Sequence, residues 1–231
     1  MNDILPWLGF LADGLRVTVA LSLAIAVLSV ALSTLVAILR VCPVRALRLT
    51  AVAFVDLFRS IPLLALLFFI FYGLGAYVVR LGISPFWLAV ITLTVVESAY
   101  LAEVFRGTIE SIPKSQWEAA ASLGLGWVST LRLIVVPQSL LPAIPSVLVL
   151  LVYVIKDSSL ASLITVTEVT TSANILVSHT FRPFQVYMLL AAMYLAIIAP
   201  LTLLGSRLET AIRKPSAQGR ASEAARQASR G

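Results

Sequence analysis

Long uncharged stretches constrain this chain more than any other feature of its sequence. The segment from Leu15 to Leu39 has 25 residues and a single charge, that of Arg16 at its start. A hydrocarbon layer of about 30 Å needs about 20 helical residues, so this segment is long enough to cross a membrane. The chain is 60% hydrophobic and only 12% charged, a balance that one globular core cannot bury. We therefore expect an all-α integral membrane protein.

Four further segments have the same character, which gives about five transmembrane helices. The predicted spans cover residues 15–39, 57–79, 85–106, 133–156 and 184–206, inside one transmembrane domain of residues 15–210. Residues 1–14 are expected to form an external or interfacial lead-in. Residues 211–231 are small, charged and without apolar periodicity, so we expect a disordered cytoplasmic tail there.

The positions of the basic residues predict the orientation of the spans. With five spans and an external amino terminus, 13 of the 17 Lys and Arg residues lie on the cytoplasmic side, and the exceptions are Arg16, Arg80, Lys156 and Arg182. Cytoplasmic ends of membrane helices are enriched in Lys and Arg, so the carboxyl terminus should be cytoplasmic. Because the basic residues stand at the ends of apolar runs, the net charge of +6 indicates membrane orientation and not a nucleic-acid partner.

The segment between Pro113 and Pro137 is too polar to lie stably in the hydrocarbon layer of a membrane. Ser115 followed by Glu118 is a capping-box pair, in which each side chain satisfies a backbone N–H group at the start of a helix. An Ala-rich run follows, and Gly124 suits the left-handed residue that ends a helix. We predict a short helix over residues 115–124 on the cytoplasmic side.

Glu118, Ala119 and Ala120 also carry a family resemblance. Gly124 follows them, and then an apolar stretch that ends at Pro137. This pattern resembles the EAA loop of permease subunits in ABC importers. Further runs resemble the subfamily that imports polar amino acids, of the histidine and glutamine type; these runs are residues 57–62, 99–107, 111–118 and 156–160.

The resemblance implies a fold like that of type I ABC importers, in the cytoplasmic (inner) membrane of a bacterium. It implies three kinds of partner: ATPase subunits, an extracytoplasmic solute-binding protein, and a second permease subunit that is the same or a paralogous chain. ATP and Mg²⁺ would be bound by the ATPase, and this chain would need no cofactor or metal. The residues implied to couple to the ATPase are Ser115, Glu118, Ala119, Ala120, Gly124 and Pro137.

Glu97 lies about eleven residues into its predicted span, where a carboxylate costs roughly 2.5–3.5 kcal/mol to insert. It should therefore face the bundle interior or a wet cavity. Lys156 and Asp157 interrupt another apolar context, followed by Ser158 and Ser159. A zwitterionic amino acid needs an anion for its ammonium group and a cation for its carboxylate, so these five residues are the expected substrate pathway. A purely structural pair of Glu97 and Lys156 remains the alternative.

Two other charge pairs are expected to be local ion pairs near the cytoplasmic surface, because their members are three residues apart. These pairs are Asp56 with Arg59 and Glu103 with Arg106. The prolines at the start of the fourth span predict a bent or broken entry.

The sequence contains no phosphate-binding loop, one histidine and one cysteine, which argues against a catalytic chain. The resemblance implies a permease subunit for a polar amino acid or similar zwitterion, driven by a separate ATPase. An opine or an ectoine-type compatible solute is an alternative substrate. An ATP-independent transporter and a membrane scaffold are further alternatives. The first leaves the polar helix between spans without a purpose, and the second does not explain the charges inside the membrane.

Overall fold

The computed structural model of the protein describes residues 4–228, except for the side chains at positions 4, 76, 78, 79 and 213–228. The two predicted terminal segments therefore lie outside the described residues at positions 1–3 and 229–231. The described chain consists of the α-helices α1 (Ile4–Val41), α2 (Arg45–Ser60), α3 (Leu63–Phe68), α4 (Gly75–Arg80), α5 (Pro85–Glu110), α6 (Lys114–Ser122), α7 (Trp127–Thr130), α8 (Val136–Asp157), α9 (Val169–Thr180) and α10 (Pro183–Ala228).

Four continuous helical segments are long and apolar enough to cross a membrane, and a bent pair of helices adds a fifth. These segments are Leu5–Val41, Pro85–Glu110, Trp127–Ile164 and Pro183–Ile212, with the pair Arg45–Ser60 and Leu63–Gly73. The all-α membrane fold with about five spans is therefore confirmed, although the spans are longer than the sequence predicted.

The predicted lead-in of residues 1–14 is, from Ile4 onwards, the first part of α1. Pro6 stands in the first helical turn, where a missing backbone N–H costs nothing. Trp7 and Leu11 are buried in a small cluster with Leu176 of α9 and Val186 of α10. This packing extends α1 beyond the stretch that the hydrophobic run alone indicated.

The predicted span of residues 57–79 is not one helix. α2 ends at Ser60, and α3 leaves at 97° to it after the break around Pro62. Proline disfavours a helical conformation in the residue before it, and Ile61 is accordingly extended. The rest of the span is a π-helical turn at Phe69–Gly73 followed by α4.

The entry to the fourth span is altered but not broken. A π-helical turn at Leu131–Val135 lies between α7 and α8, directly before Pro137. A π turn widens the helix where a proline removes a donor and its ring crowds the preceding turn. At the other end, the segment continues through a 3₁₀ turn at Ser158–Ile164.

Glu168 is the N-cap residue of α9 and is fully buried. Its carboxylate accepts a hydrogen bond from the Thr171 N–H group at 2.9 Å. The hydroxyls of Thr18 in α1 and Tyr194 in α10 each donate to the same carboxylate at 3.3 Å. One side chain therefore joins three helices.

α10 continues to Ala228, so residues 211–228 are helical where the sequence predicted a disordered tail. This segment contains six Ala and three Arg, which are strong helix formers, as well as Pro215 and Gly219, which are not. The absence of apolar periodicity indicates that a segment has no apolar face to pack against the bundle. It does not exclude a helix that continues an existing one.

The core of the bundle is the contact between α1 and α5. Leu21 and Ile25 of α1 pack in one buried cluster with Val90 and Leu93 of α5. Near the other end of the same two helices, Arg40 pairs with Glu103. Arg106 also donates from its Nε to Glu103 at 2.9 Å, so the expected pair of Glu103 and Arg106 is present within a larger network.

α1 and α9 approach closely at Gly14. A Cβ atom at this position would lie 2.3 Å from the Ser172 Oγ and 2.9 Å from the Val169 Cα. We predict that Gly14→Ala lowers the free energy of unfolding by about 1–3 kcal/mol, because the backbone of α9 must move to make room. Thermal unfolding of the purified chain in detergent measures the change.

Gly9→Ala is the matched control in the same helix, since a Cβ atom there meets nothing within 4 Å. It should leave the melting temperature unchanged or raise it, because alanine favours a helix over glycine by up to about 1 kcal/mol. Equal destabilisation by both variants would show that the close approach of α1 and α9 is not what requires Gly14.

Candidate functional site

A cavity with a volume of about 820 Å³ lies between three walls. The junction of α2 and α3 supplies residues 59–63, α5 supplies residues 96, 97, 100, 101, 103 and 104, and α8 supplies residues 146, 149, 150, 153 and 157. The broken second span thus forms one wall. A straight helix would have placed no extended backbone at Ile61 and Pro62 beside the cavity.

Glu97 and Asp157 both line this cavity, and their carboxyl groups interact directly. Glu97 is 5% exposed, whereas Asp157 is partly open. None of the ion pairs in the described residues includes either carboxyl. Two carboxyl groups in contact need a cation or a shared proton between them. The pair is therefore suited to hold a positively charged group.

Arg59 is the cationic side chain in the cavity wall. Its Cζ lies 5.3 Å from the centroid of the Tyr100 ring, and the Tyr100 hydroxyl donates to the Arg59 carbonyl at 3.5 Å. Tyr100 is one helical turn from Glu97 along α5, a rise of about 4.5 Å. The cavity wall thus contains a cation as well as the carboxyl pair. The expected ion pair of Arg59 with Asp56 is absent among the described residues, since Arg59 contacts Tyr100 instead.

Lys156 does not lie in the cavity wall. Its side chain is exposed, and its Nζ lies 6.0 Å from the centroid of the Tyr153 ring. Successive residues of a helix point about 100° apart, so Asp157 can face the cavity while Lys156 faces away. No ion pair joins Lys156 to Glu97 in the described structure.

Ser158 and Ser159 are also absent from the cavity wall. The Ser158 hydroxyl is buried and donates to the Ile155 carbonyl at 2.8 Å. The Ser159 hydroxyl donates to the Lys156 carbonyl at 2.7 Å. Both hydroxyls therefore satisfy backbone groups at the end of α8. Of the five residues expected in the pathway, the structure brings together Glu97 and Asp157.

The helix of the EAA loop is α6, and its start differs from the predicted capping box. α6 begins at Lys114 with Pro113 as its N-cap, and no side chain caps it. Ser115 is consequently inside the first turn and cannot accept from the N–H groups that a cap satisfies. Pro113, extended at ψ 139°, ends the preceding segment and fixes the start of the helix.

The end of α6 agrees with the prediction. Gly124 has a φ of +75°, which is the left-handed conformation expected of it. The Leu125 N–H donates to the Ala120 carbonyl at 3.0 Å, and the Gly124 N–H donates to the Ala121 carbonyl at 2.9 Å. These two bonds form a Schellman motif, which fixes the direction in which the chain leaves α6.

α6 presents one face to the exterior. Ser115, Glu118 and Ala119 are exposed, and no hydrogen bond or ion pair holds the Glu118 carboxylate among the described residues. Ala120 is only 1% exposed, so it packs against the bundle. Leu123 and Val128, just beyond the helix, are 79% and 68% exposed. Pro137 is exposed near the start of α8, away from this face in the sequence.

Sequence reasoning missed Arg59 and the two cavity tyrosines, Tyr100 and Tyr153. The run of residues 57–62 contained the signal, because Arg59 stands two residues before the Ile61-Pro62 pair, where a straight helix is expected to end. Spacing alone assigned Arg59 to a local ion pair. No signal in the sequence pointed to Tyr153.

The described chain is a bundle of membrane-spanning helices with an acidic cavity among them. An exposed, well-defined helix lies between two of the spans. This is the architecture of a transport permease. Residues 29–214 match the family model described as "Binding-protein-dependent transport system inner membrane component". The chain belongs to this family, whose members are membrane subunits of ABC transporters.

Curated relatives agree with this assignment. The chain is 35% identical to the "Probable glutamine ABC transporter permease protein GlnP" of Bacillus subtilis (strain 168), over 87% of this chain and 93% of that protein. It is 36% identical to the "Octopine transport system permease protein OccM" of Rhizobium radiobacter, over 78% of each. It is 37% identical to the "L-cystine transport system permease protein TcyB" of Bacillus subtilis (strain 168), over 68% of this chain and 67% of that one.

Solved structures share the fold. "Crystal structure of an amino acid ABC transporter with histidines" matches with a TM-score of 0.80 and 26% identity, over 90% of this chain and 97% of that chain. "Inward facing conformations of the MetNI methionine ABC transporter" matches with a TM-score of 0.74 at 19% identity, over 90% of this chain and 98% of that chain, and shows the fold alone. The predicted type I ABC importer fold is therefore confirmed.

Proposed function

We propose that this chain is the permease subunit through which a polar amino acid, or a similar zwitterion, enters the cell. The observation that supports the proposal is one cavity that is lined by the interacting carboxyls of Glu97 and Asp157 and also by Arg59. A carboxyl pair suits an ammonium group, and a guanidinium suits a carboxylate. These two charged positions match the two charges of an α-amino acid.

The size of the cavity supports a solute of this class. Ligand sites of about 300–1,000 Å³ hold small molecules, and the present volume of about 820 Å³ falls in that range. Glu103 is already paired with Arg40 and Arg106, so it does not add to the free negative charge. When a bound ammonium group takes the place of a shared proton, the two carboxylates of Glu97 and Asp157 outweigh the one guanidinium of Arg59, which favours a neutral or basic amino acid over an acidic one.

An opine is the second candidate, because a relative with 36% identity is named as an octopine permease. Opines contain an amino acid backbone with a further carboxylate. The single arginine in the described cavity wall fits one carboxylate better than two. We therefore rank amino acids first, opines second and an ectoine-type solute third.

The orientation and the partners are part of the same proposal. The amino terminus is external and the carboxyl terminus cytoplasmic, in the inner membrane of a bacterium, because this places most Lys and Arg in the cytoplasm. α6 then docks on an ATPase subunit, which binds ATP and Mg²⁺. A solute-binding protein delivers the substrate, and a second permease subunit, identical or paralogous, closes the pathway on the open side of the cavity. This chain itself catalyses no reaction.

The cavity assignment predicts the effect of Glu97→Gln. Uptake is measured in proteoliposomes that contain the whole transport complex, with saturating amounts of the liganded binding protein. The variant should lower the maximal uptake rate about tenfold, because one charge-assisted hydrogen bond to the ammonium group is lost. Basal ATP hydrolysis should stay within twofold of the unchanged protein, since α6 is not altered.

Lys156→Gln is the matched control. It neutralises a side chain next to Asp157 that points away from the cavity, and uptake should not change. A loss of uptake with Lys156→Gln, together with normal uptake by Glu97→Gln, would contradict the cavity assignment and would favour the pathway expected from the sequence.

The coupling role predicts that Glu118→Lys uncouples the complex. Charge reversal on the exposed face of α6 should weaken the docked ATPase, with an effect of about tenfold or more on its recovery after detergent purification. Membrane insertion should not change, because Glu118 has no partner within the described chain.

Gln116→Lys adds a charge to the same helix, but on a different face, because residues two apart point about 200° away from each other. It should preserve ATPase recovery and uptake. If Glu118→Lys retained both as well, α6 would not be the surface that transmits ATPase movement.

A further inference from the structure

α2 has a surface that neither the cavity nor the coupling helix explains. It meets α3 at 97°, so it lies nearly perpendicular to the following part of its span. Only Ala51 and Val55 of α2 are buried, in a cluster with Val36 of α1 and Ala102 of α5. Its second half is therefore fixed against the bundle.

The first half of α2 projects from the described structure. All residues from 43 to 50 are exposed, including the large apolar side chains of Val44, Leu47 and Leu49. Exposed leucines in water would be costly, but a membrane boundary accommodates them. Because α1 ends at Val41, this segment follows directly after the first span in the sequence.

The charge of this segment has one sign. Arg45 and Arg48 are three residues apart and so lie on one side of α2, about a turn from each other. Neither forms an ion pair in the described chain, and no acidic residue occurs between Arg40 and Asp56. Leu47 points about 100° away from Arg48 and lies on the side of the apolar residue Phe54.

We propose that the first half of α2, residues 45–50, is an interfacial helix that binds anionic phospholipid headgroups. Arg45 and Arg48 contact the phosphate and headgroup charges, and Leu47 enters the acyl region below them. An exposed helix with basic and large apolar side chains, set at 97° to the following part of its span, has the properties of such an element. Charge complementarity selects an anionic lipid over a zwitterionic one.

This site gives the chain a lipid contact next to its substrate cavity. α2 ends at Ser60, and Arg59 and Ser60 line the cavity. A lipid that holds the first half of α2 at the membrane surface therefore also restrains the end that carries Arg59. The proposal does not depend on which solute is transported.

A local fluorescence measurement tests the proposal. In a Cys42→Ser background, a fluorophore is attached to Leu47→Cys, and the complete transport complex is reconstituted in phosphatidylcholine vesicles. Nitroxide-labelled phosphatidylglycerol should quench the fluorophore about fivefold or more efficiently than nitroxide-labelled phosphatidylcholine at equal mole fraction. Raising the ionic strength to about 1 M should reduce this preference, because the Debye length falls to about 3 Å.

Three double variants test whether the two arginines cause the preference for phosphatidylglycerol. Arg45→Gln with Arg48→Gln should abolish the preference for phosphatidylglycerol, and Arg45→Lys with Arg48→Lys should keep it. Arg16→Gln with Arg80→Gln removes the same number of charges from the other end of the bundle and should change nothing. A normal melting temperature of each variant excludes misfolding as the cause.

Two outcomes would overturn the proposal. Equal quenching by both lipids in the unaltered α2 would show that the segment touches lipid without selecting its charge. No quenching by either lipid would show that an ATPase or a second permease covers this face. Both outcomes leave the uptake experiment with Glu97→Gln unaffected, so failure here is distinct from failure of the proposed transport function.

Discussion

Lipid offers no hydrogen-bond partners, and the structure follows from this constraint. Each backbone group in a span must be satisfied inside the protein, so irregular backbone is tolerated only where protein or a wet cavity surrounds it. The break between α2 and α3 meets this condition, because Ile61 and Pro62 line the cavity. Charged side chains obey the same rule. Glu97 faces the cavity, and Glu103 is held by Arg40 and Arg106.

The cavity and α6 are connected along the chain by the helices that hold the carboxyl pair. α5 carries Glu97 and Tyr100 in its middle and ends at Glu110, four residues before α6 begins. The Schellman motif at Gly124 then directs the chain toward α7 and α8, which carries Asp157. A displacement of α6 would therefore move both helices that hold the carboxyl pair. This connection gives a physical reason why a rigid helix is placed between these two spans.

Much of the fold could be predicted from the sequence because lipid imposes length and composition on a span. The Leu15–Leu39 run indicated α1, and Gly124 indicated the end of α6. Other features depended on tertiary contacts that no local pattern contains. The packing of Trp7 and Leu11 extended α1, and Pro113 replaced Ser115 at the start of α6. In the cavity, intramembrane cost identified Glu97, but the rotational phase of α8 decided that Asp157 and not Lys156 faces it.

The central claim is that this chain conducts a zwitterionic amino acid under the control of a separate ATPase. The most direct measurement is ATP hydrolysis by the chain reconstituted with its ATPase and its solute-binding protein, screened against amino acids, opines and ectoine. ATP hydrolysis should be stimulated by neutral or basic amino acids, and less or not at all by acidic ones. Absence of stimulation by every solute, in a complex shown to be intact, would contradict it and would favour a membrane scaffold.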